Sequence, residues 1–283
     1  MTSEPKTTDQ LPIYTVTARN TAADSENKMH DDAVASEFGF RGGLVPGVTV
    51  YAYMTVPVVR HFGIDWLEGG AMKVRLLQPF YDGEPAVIRA EASGGSDHLT
   101  VKVKAERQNG ELCAAAEASL SADRSNALPS PIEDVTDFGD APAPAADERP
   151  QATSDSLRAG TIFGAVSEKL DLDSIGGSLL RKIEERLPVY YGSEAVAHPI
   201  LMLSLANRIL MQNRRLGPWI HASSELLNCG LAHNGETLTI KGQVHDCFER
   251  KGHEFVVLDL VIFSDHRLIQ KVRHTAIYKP RRP

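Results

Sequence analysis

The chain has 283 residues, of which 42% are hydrophobic and 24% are charged, and its formal net charge is −7. A chain of this length can form one large domain or two ordinary ones, and the composition is that of a folded globular protein. Because there is no basic excess that could neutralise phosphates, the charge argues against a nucleic-acid partner.

Cysteine usage and apolar runs predict a cytoplasmic protein. Cys113, Cys229 and Cys247 are odd in number and far apart, so neither a disulfide framework nor a Cys-x-x-Cys metal site is expected. Residues 1–10 are too polar and acidic for a signal peptide. No apolar run approaches the roughly 20 residues that a membrane span needs, so we expect no membrane partner.

The first half predicts a strand, a short helix, a long helix and then an antiparallel meander. β-Branched residues favour a strand at 13–18, and a short helix with acidic residues at its start is expected at 31–38. The long helix is predicted from Pro46 to about His61, with aliphatic side chains nearly all round, as in a helix buried on several sides. Pro57 conflicts with this helix, since an interior proline removes a hydrogen bond. Alternating runs predict the meander strands at 72–76, 86–92, 98–105 and 112–120.

A segment with little apolar periodicity divides the chain. Residues 121–156 are rich in Ala, Pro, Ser and Asp, and 141–147 in particular are expected to form an extended connector without a core. A structureless segment of this length usually joins domains. We therefore predict an N-terminal unit at 1–125, a linker at 126–155 and a C-terminal unit at 156–283.

The second half repeats the order of elements of the first. The elements predicted there are a strand at 161–166, helices at 178–186 and 198–215, and strands at 224–228, 237–248, 254–263 and 268–278. The turns Asp82-Gly83-Glu84 and Asn234-Gly235-Glu236 are 152 positions apart, and the same separation relates Pro46 to His198. The residues thus predict an α+β fold with a duplicated unit.

Three short motifs in the first half carry a family resemblance. Asn27-Lys28-Met29-His30, then Gly39-Phe40 and then Leu44-Val45-Pro46-Gly47 resemble the MaoC-like (R)-specific enoyl-CoA hydratases and dehydratases. The resemblance is sharp over residues 20–55 and only architectural elsewhere. It implies two tandem hot-dog units, each an antiparallel sheet wrapped around a long helix, which together form a pseudo-dimer.

The chain departs from the family motif, Asp-x-Asn-Pro-[aliphatic]-His followed by His-Gly, at several positions. Lys28 replaces the proline and Pro46 replaces the histidine of His-Gly. Ser25 stands where the family has its catalytic aspartate, while Asp24 and Glu26 lie one position to either side. The acid–base pair is therefore complete only if a bulged loop lets Asp24 or Glu26 replace that aspartate.

The resemblance implies roles for three residues besides the acid. His30 would be the catalytic imidazole, and Asn27 would orient the loop or the thioester; a surface histidine and a simple Asx turn are the structural alternatives. Gly47, at the start of the central helix, would bind the thioester oxygen through backbone N–H groups. Arg41 and Arg75 could meet a CoA phosphate or simply be solvated.

The second copy lacks the motif. Leu179 and Lys182 stand at the positions that correspond to Asn27 and His30, so a capping or core role is expected for His198. We therefore expect one active centre, in the N-terminal unit.

The function implied by the resemblance is hydration or dehydration of an α,β-enoyl thioester. The partner would be an acyl-CoA or acyl-carrier thioester, with no metal or other cofactor and with a possible homodimer of the double chain. An acyl-CoA thioesterase and a non-catalytic acyl-CoA-binding protein are the alternatives. The residue that most favours the non-catalytic alternative is Ser25, because it stands at the position of the family aspartate.

Overall fold

One antiparallel sheet of 11 strands forms the frame of the computed structural model, which describes residues 8–94, 98–123, 128–132 and 138–283. Its strands are β1 Thr8–Gln10, β2 Tyr14–Thr17, β3 Ala71–Leu76, β4 Pro85–Gly94, β5 His98–Arg107, β6 Leu112–Ser121, β7 Ile162–Lys169, β8 Ile220–Asn228, β9 Thr237–Arg250, β10 His253–Ser264 and β11 Arg267–Lys279. The strand order is β1-β4-β5-β6-β3-β8-β11-β10-β9-β7, and β2 also pairs with β4. All the meander strands expected from alternation are present.

The two halves of the chain join where β3 pairs with β8. The register runs from Ala71 opposite Leu227 to Arg75 opposite Ser223, antiparallel throughout. On either side of this junction the strands follow in matching order, β6-β5-β4 on one side and β11-β10-β9 on the other. The sheet is therefore continuous across the two halves.

Two long helices pack on the sheet and against each other. The helices are α1 Asp32–Ser36, α2 Gly47–Phe62, α3 Ile64–Gly69, α4 Gly177–Lys182 and α5 Pro199–Asn213, with single helical turns at Lys28–His30, Leu172–Gly176 and Pro188–Tyr190. Every side chain from Val48 to Val59 is buried, which explains why α2 has aliphatic residues on all its faces. The predicted central helix is present despite Pro57, because its tertiary packing outweighs one missing backbone bond.

Backbone contacts recur at the separation of 152 residues noted in the sequence. Each of two contacts in the first half has a counterpart in the second: the bridge Leu44–Tyr81 recurs as Val196–His233, and the bond from Val45 N–H to Phe80 O recurs as Ala197 N–H to Ala232 O. These contacts fix the chain just before each long helix. The recurrence thus extends from turn sequences to backbone geometry.

The connector between the halves is packed against the second half. Pro142 forms a parallel bridge with Ala165 of β7, and Gln151 forms one with Arg215. Ile132 and Phe138 are buried and form a cluster with Val261. Residues 126, 127 and 133–137 of the predicted linker, and residues 1–7, lie outside the described residues.

Short elements differ most from the sequence-based expectations. The helix expected at 178–186 ends at Lys182, and α3 was not predicted because it is brief and contains two acidic residues. Trp66 of α3 is nevertheless fully buried. Among the described residues, no helix combines the length and the apolar character needed to cross a membrane.

Candidate active site

A cavity of about 220 Å³ lies where residues of the two halves meet. Its wall comes from the loop and helix start of the first half, from the end of β3, and from the start of β8. The lining residues are Asn27, Met29, His30, Phe40, Leu44, Val45, Pro46, Gly47, Val50, Leu76, Leu77, Gln78, Pro79, Phe80, Asn207, Trp219, Ile220, His221, Ala222, His253 and Ile277. Three of the four predicted site residues, Asn27, His30 and Gly47, are thus brought together.

Asn27 is buried, and its side-chain amide is oriented by backbone partners from both halves. Its Oδ1 accepts hydrogen bonds from the N–H of Met29 at 3.2 Å and of Trp219 at 3.1 Å. Its Nδ2 donates to the carbonyl of Trp219 at 3.0 Å and lies 3.3 Å from Nε2 of His30. Because both N–H donors must face an oxygen, Nδ2 is the atom that faces the imidazole.

One ring nitrogen of His30 is hydrogen-bonded to a backbone carbonyl, and the other faces Asn27. Its Nδ1 lies 2.7 Å from the carbonyl oxygen of Leu44, which can only accept, so Nδ1 carries the proton and Nε2 has the lone pair. Burial lowers the pKa of His30 below its ordinary value, and the bond to Leu44 offsets part of that effect. The imidazole is therefore neutral at pH 7 and can accept a proton at Nε2.

Gly47 begins α2, and this helix start lines the cavity. The N–H groups of Thr49 and Val50 bond to the carbonyl of Pro46, which supplies no side-chain cap. This leaves the N–H groups of Gly47 and Val48 as the ones in the first turn without a partner inside the helix, and the helix dipole adds positive potential there. A Cβ at position 47 would lie 2.3 Å from Cδ1 of Leu76 and 2.7 Å from Nδ1 of His221, so only glycine fits without a shift of its neighbours.

The candidate carboxylates lie away from the cavity. Asp24 is exposed, and Glu26 forms an ion pair with Arg149 of the connector at 3.0 Å. The hydroxyl of Ser25 donates to the carbonyl of Asn27 at 3.3 Å. None of these three residues lines the cavity, and no aspartate or glutamate is present among its described lining residues.

His198 has the capping and core roles expected for it. Its Nδ1 accepts the N–H of Ile200 in the first turn of α5, at 3.0 Å. Its Nε2 lies 3.2 Å from Glu185, and both side chains are buried. Arg41 pairs with Glu84 and stacks on Tyr81, whereas Arg75 is exposed on β3; neither arginine lines the cavity.

The contribution of the second half to the cavity was not predicted. Trp219 immediately precedes β8, and Ile220 and His221 are the first two residues of this strand, far along the chain from the motif. Nothing in their sequence marks them as site residues, since they belong to no motif and precede the strand predicted at 224–228. Only the pairing of β3 with β8 brings them to the start of α2.

Comparison with solved structures identifies the fold. A Chloroflexus aurantiacus J-10-fl protein assigned as a MaoC domain dehydratase aligns with a TM-score of 0.66 at 10% identity, covering 98% of this chain and 96% of its own. A conserved Mycobacterium tuberculosis protein with a double hotdog fold gives 0.59 at 17% identity, with coverage of 95% and 96%. A Lactobacillus plantarum protein assigned as an oleoyl thioesterase gives 0.50 at 11% identity, with coverage of 96% and 98%.

These likenesses concern the fold. No family model and no curated protein matches the sequence significantly. The chain has the hot-dog fold, with nearly the full length of each chain aligned. At such low identity, function has to be argued from the site itself.

Proposed function

We propose that this protein is an acyl-thioester hydratase or dehydratase that adds or removes water at an α,β-enoyl thioester of the CoA type. The observation that carries the proposal is the His30 imidazole beside the cavity, whose Nδ1 is bound to Leu44 and whose lone pair on Nε2 faces Nδ2 of Asn27. The solved structure of an assigned MaoC domain dehydratase, which shares the fold, supports the same reaction class.

In this mechanism His30 moves one proton. In hydration, Nε2 accepts a proton from water as the water oxygen bonds to the β-carbon of the enoyl group. The imidazolium then returns that proton to the α-carbon, so that one water adds across one double bond. Dehydration is the reverse. Nδ2 of Asn27 lies 3.3 Å from Nε2 in the structure, so a water that gives its proton to Nε2 must first replace this contact.

The start of α2 supplies the electrostatic part of the mechanism. Negative charge develops on the thioester oxygen when water attacks the β-carbon. First-turn N–H groups at Gly47 and the helix dipole would stabilise that charge, and one such donor is typically worth about 2.7–4 kcal/mol. Apolar lining residues, among them Phe40, Val50 and Phe80, suit an acyl chain.

We further infer that the chain consists of two tandem hot-dog units paired as a pseudo-dimer, with the centre assigned to the motif of the N-terminal unit. Support comes from the backbone contacts repeated at 152 residues and from the matching strand order about the β3–β8 junction. No acid role is assigned to Asp24, because its exposed side chain does not line the cavity.

The test is hydration of enoyl-CoA substrates of several chain lengths, followed by loss of the conjugated-thioester absorbance. His30→Ala should lower kcat/KM by about 10²–10⁴-fold, the usual contribution of a general base. His61→Ala, at an exposed histidine near the end of α2, is the matched control and should leave the rate unchanged. No hydration at any chain length, or equal rates in both variants, would refute the proposal.

A second candidate is a non-catalytic acyl-CoA-binding protein. It is favoured by one observation, the lack of a carboxylate among the described lining residues of the cavity. Calorimetric binding of acyl-CoA without water addition and without release of free thiol would establish this candidate. Release of free thiol would instead indicate a thioesterase.

A further inference from the structure

Two buried imidazoles joined by a serine lie behind the cavity. Nε2 of His221 is 2.8 Å from Oγ of Ser224, and the same Oγ is 2.9 Å from Nδ1 of His274. The two rings are tilted by 33° with centroids 4.4 Å apart. All three residues are at most 6% exposed, on β8 and β11 of the second half. The mechanism proposed above uses none of them.

His221 is the member of this network that lines the cavity. Its Nδ1 has no hydrogen-bond partner in the part of the chain that the structure describes. This nitrogen lies 2.7 Å from the Cβ position of Gly47, and Cδ1 of Leu76 lies 2.3 Å from the same point. A buried nitrogen without a partner costs free energy, which a ligand oxygen could recover.

The network has a defined protonation pattern when an acceptor faces Nδ1. Burial lowers the pKa of His221 to about 4, against the smaller opposite effect of the Ser223 backbone, and burial holds the pKa of His274 well below its usual range, so both rings are neutral at pH 7. A neutral imidazole has one N–H and one lone pair. If Ser224 donates to Nε2 of His221 and accepts from Nδ1 of His274, the proton of His221 must reside on Nδ1.

We propose that His221 is a catalytic residue of the hydration reaction, whose Nδ1–H donates a hydrogen bond to the thioester oxygen beside the helix start at Gly47. Ser224 and His274 act as positioning residues, because a Ser224 hydroxyl that accepts from His274 can donate to Nε2 of His221 and so leave the proton of His221 on Nδ1. This role rests on the function proposed above, and it makes the oxygen-binding site a joint product of both halves of the chain.

Leu76 lies on the same side of Gly47 as this nitrogen. Its Cδ1 is 2.3 Å and Nδ1 of His221 is 2.7 Å from the point that a Cβ of residue 47 would occupy, and Leu76 itself lines the cavity. A bound thioester oxygen would take the place of this methyl group. A turn of one leucine side chain is a small rearrangement, whereas the His221 ring is fixed by Ser224.

A neutral donor suits the charge that develops in the reaction. Imidazole in this form can polarise a carbonyl without first losing a proton to solvent, and burial strengthens its hydrogen bond. The start of α2 adds its own N–H groups on the same side of the cavity. Loss of one such donor typically lowers kcat by about 10²–10³-fold.

The first test uses the wild-type chain and a ligand that cannot react. The dethia analogue of butyryl-CoA, in which a methylene replaces the sulfur, keeps the carbonyl oxygen but neither hydrates nor hydrolyses readily. With ¹³C at that carbonyl, its resonance should move downfield on binding as the carbonyl is polarised. In the complex, ¹⁵N spectra should show His221 protonated at Nδ1. A bound analogue with His221 protonated at Nε2 would overturn the proposal.

Variants then assign the carbonyl shift to His221. His221→Phe should bind the analogue but lose most of the downfield shift, with kcat of hydration reduced about 10²–10³-fold and KM changed far less. Ser224→Ala should lose part of the shift, whereas the matched control Ser223→Ala, on the neighbouring half-exposed serine, should retain it. A full shift in His221→Phe, or equal loss in both serine variants, would refute the proposal.

The two proposals fail in different ways. If the wild-type chain binds no acyl-CoA and hydrates none, the thioester function itself is wrong. If it hydrates enoyl-CoA but the carbonyl shift is absent or independent of His221, only the role of His221 is wrong. Should His221→Phe fail to fold, the wild-type ¹⁵N spectrum and the pair of serine variants still decide the question.

Discussion

The side-chain amide of Asn27 binds both the N–H and the carbonyl of Trp219, although these residues are 192 positions apart in the chain. The same amide faces Nε2 of His30. One buried side chain thus contacts both the residue that precedes β8 in the second half and the His30 imidazole in the first half. Orientation of the proposed base is therefore coupled to the contact between the halves.

Removal of this amide should lower the stability of the fold. In Asn27→Ala the buried N–H and carbonyl of Trp219 lose their partner, so we expect the free energy of unfolding to fall by about 1–3 kcal/mol. Urea unfolding measures this loss. Lys28→Ala, at the exposed neighbouring residue, is the control and should change the free energy by less than about 0.5 kcal/mol.

Asn27→Asp should raise the pKa of His30. A carboxylate in place of the amide would lie near Nε2 of His30 and favour the imidazolium. An NMR titration of the ring protons measures this pKa in both chains. The interpretation of the Asn27–His30 contact would be wrong if the pKa were the same in the two chains or lower in the variant.

The pH dependence of hydration should follow the neutral form of His30. Because burial lowers the pKa of His30 below 6.5, the base is deprotonated throughout the neutral range. We expect kcat/KM to be constant near pH 7 and to decline on the acid side, with a midpoint below 6.5. Rates of enoyl-CoA hydration from pH 4.5 to pH 8 test this expectation; an acid limb centred above 7 would contradict it.

Gly47→Ala should block the cavity at the start of α2. The added Cβ would collide with Leu76 and with the His221 ring, so we expect a loss of about 1–3 kcal/mol in the free energy of unfolding and a large fall in kcat. Adding Leu76→Ala should restore part of the stability, because only one of the two contacts is relieved. Gly69→Ala serves as the control, since a Cβ there meets nothing within 4 Å.

Buried histidines of the second half should make the fold sensitive to acid. The pKa of His221 is about 4 in the folded chain and 6.5 when unfolded, so the unfolded state binds more protons between these values. Stability is then fully present above pH 6.5 and declines as the pH falls toward 4. For His221 alone the loss approaches about 3 kcal/mol. His198 and His274, whose pKa values are also lowered by burial, act in the same direction.

Urea unfolding at intervals from pH 7 to pH 4 measures this effect. His221→Phe removes one titrating group, so its free energy of unfolding should depend less steeply on pH than that of the wild type. The exposed His61→Ala should keep the wild-type slope. An unchanged slope in His221→Phe would show that the imidazole is not neutral in the folded state.

Asp24→Asn tests the acid that the sequence motif suggested. Since Asp24 is exposed and does not line the cavity, we expect kcat/KM for enoyl-CoA to change by less than about twofold. Loss of activity comparable to that of His30→Ala would restore Asp24 as the acid partner and would require the loop to rearrange on substrate binding.

Elements with strong periodicity were predictable from the sequence. The strands of both meanders and the helices α2 and α5 follow from alternation and from apolar helical spacing. Short elements such as α3 carry too few residues for a periodic signal, and tertiary packing of Trp66 stabilises this one. Apolar burial in the connector was missed because isolated Ile132 and Phe138 show no period.

The site likewise contains residues that were predictable from the sequence and residues that were not. Asn27, His30 and Gly47 lie within 21 residues of one another, so a local motif could indicate them. Trp219 and His221 reach the cavity only through strand pairing, which single-sequence patterns do not encode. The position of Asp24 was ambiguous because spacing along a loop does not determine on which side a carboxylate emerges.

The β3–β8 junction has a consequence for how the cavity depends on protein concentration. Both walls of the cavity belong to one covalent chain, so its assembly is intramolecular and unaffected by dilution. Two separate chains would have to associate first, and identical chains would carry identical residues on both sides. Within one chain each half can change independently, so one wall can retain the His30 loop while the other supplies Trp219 and His221.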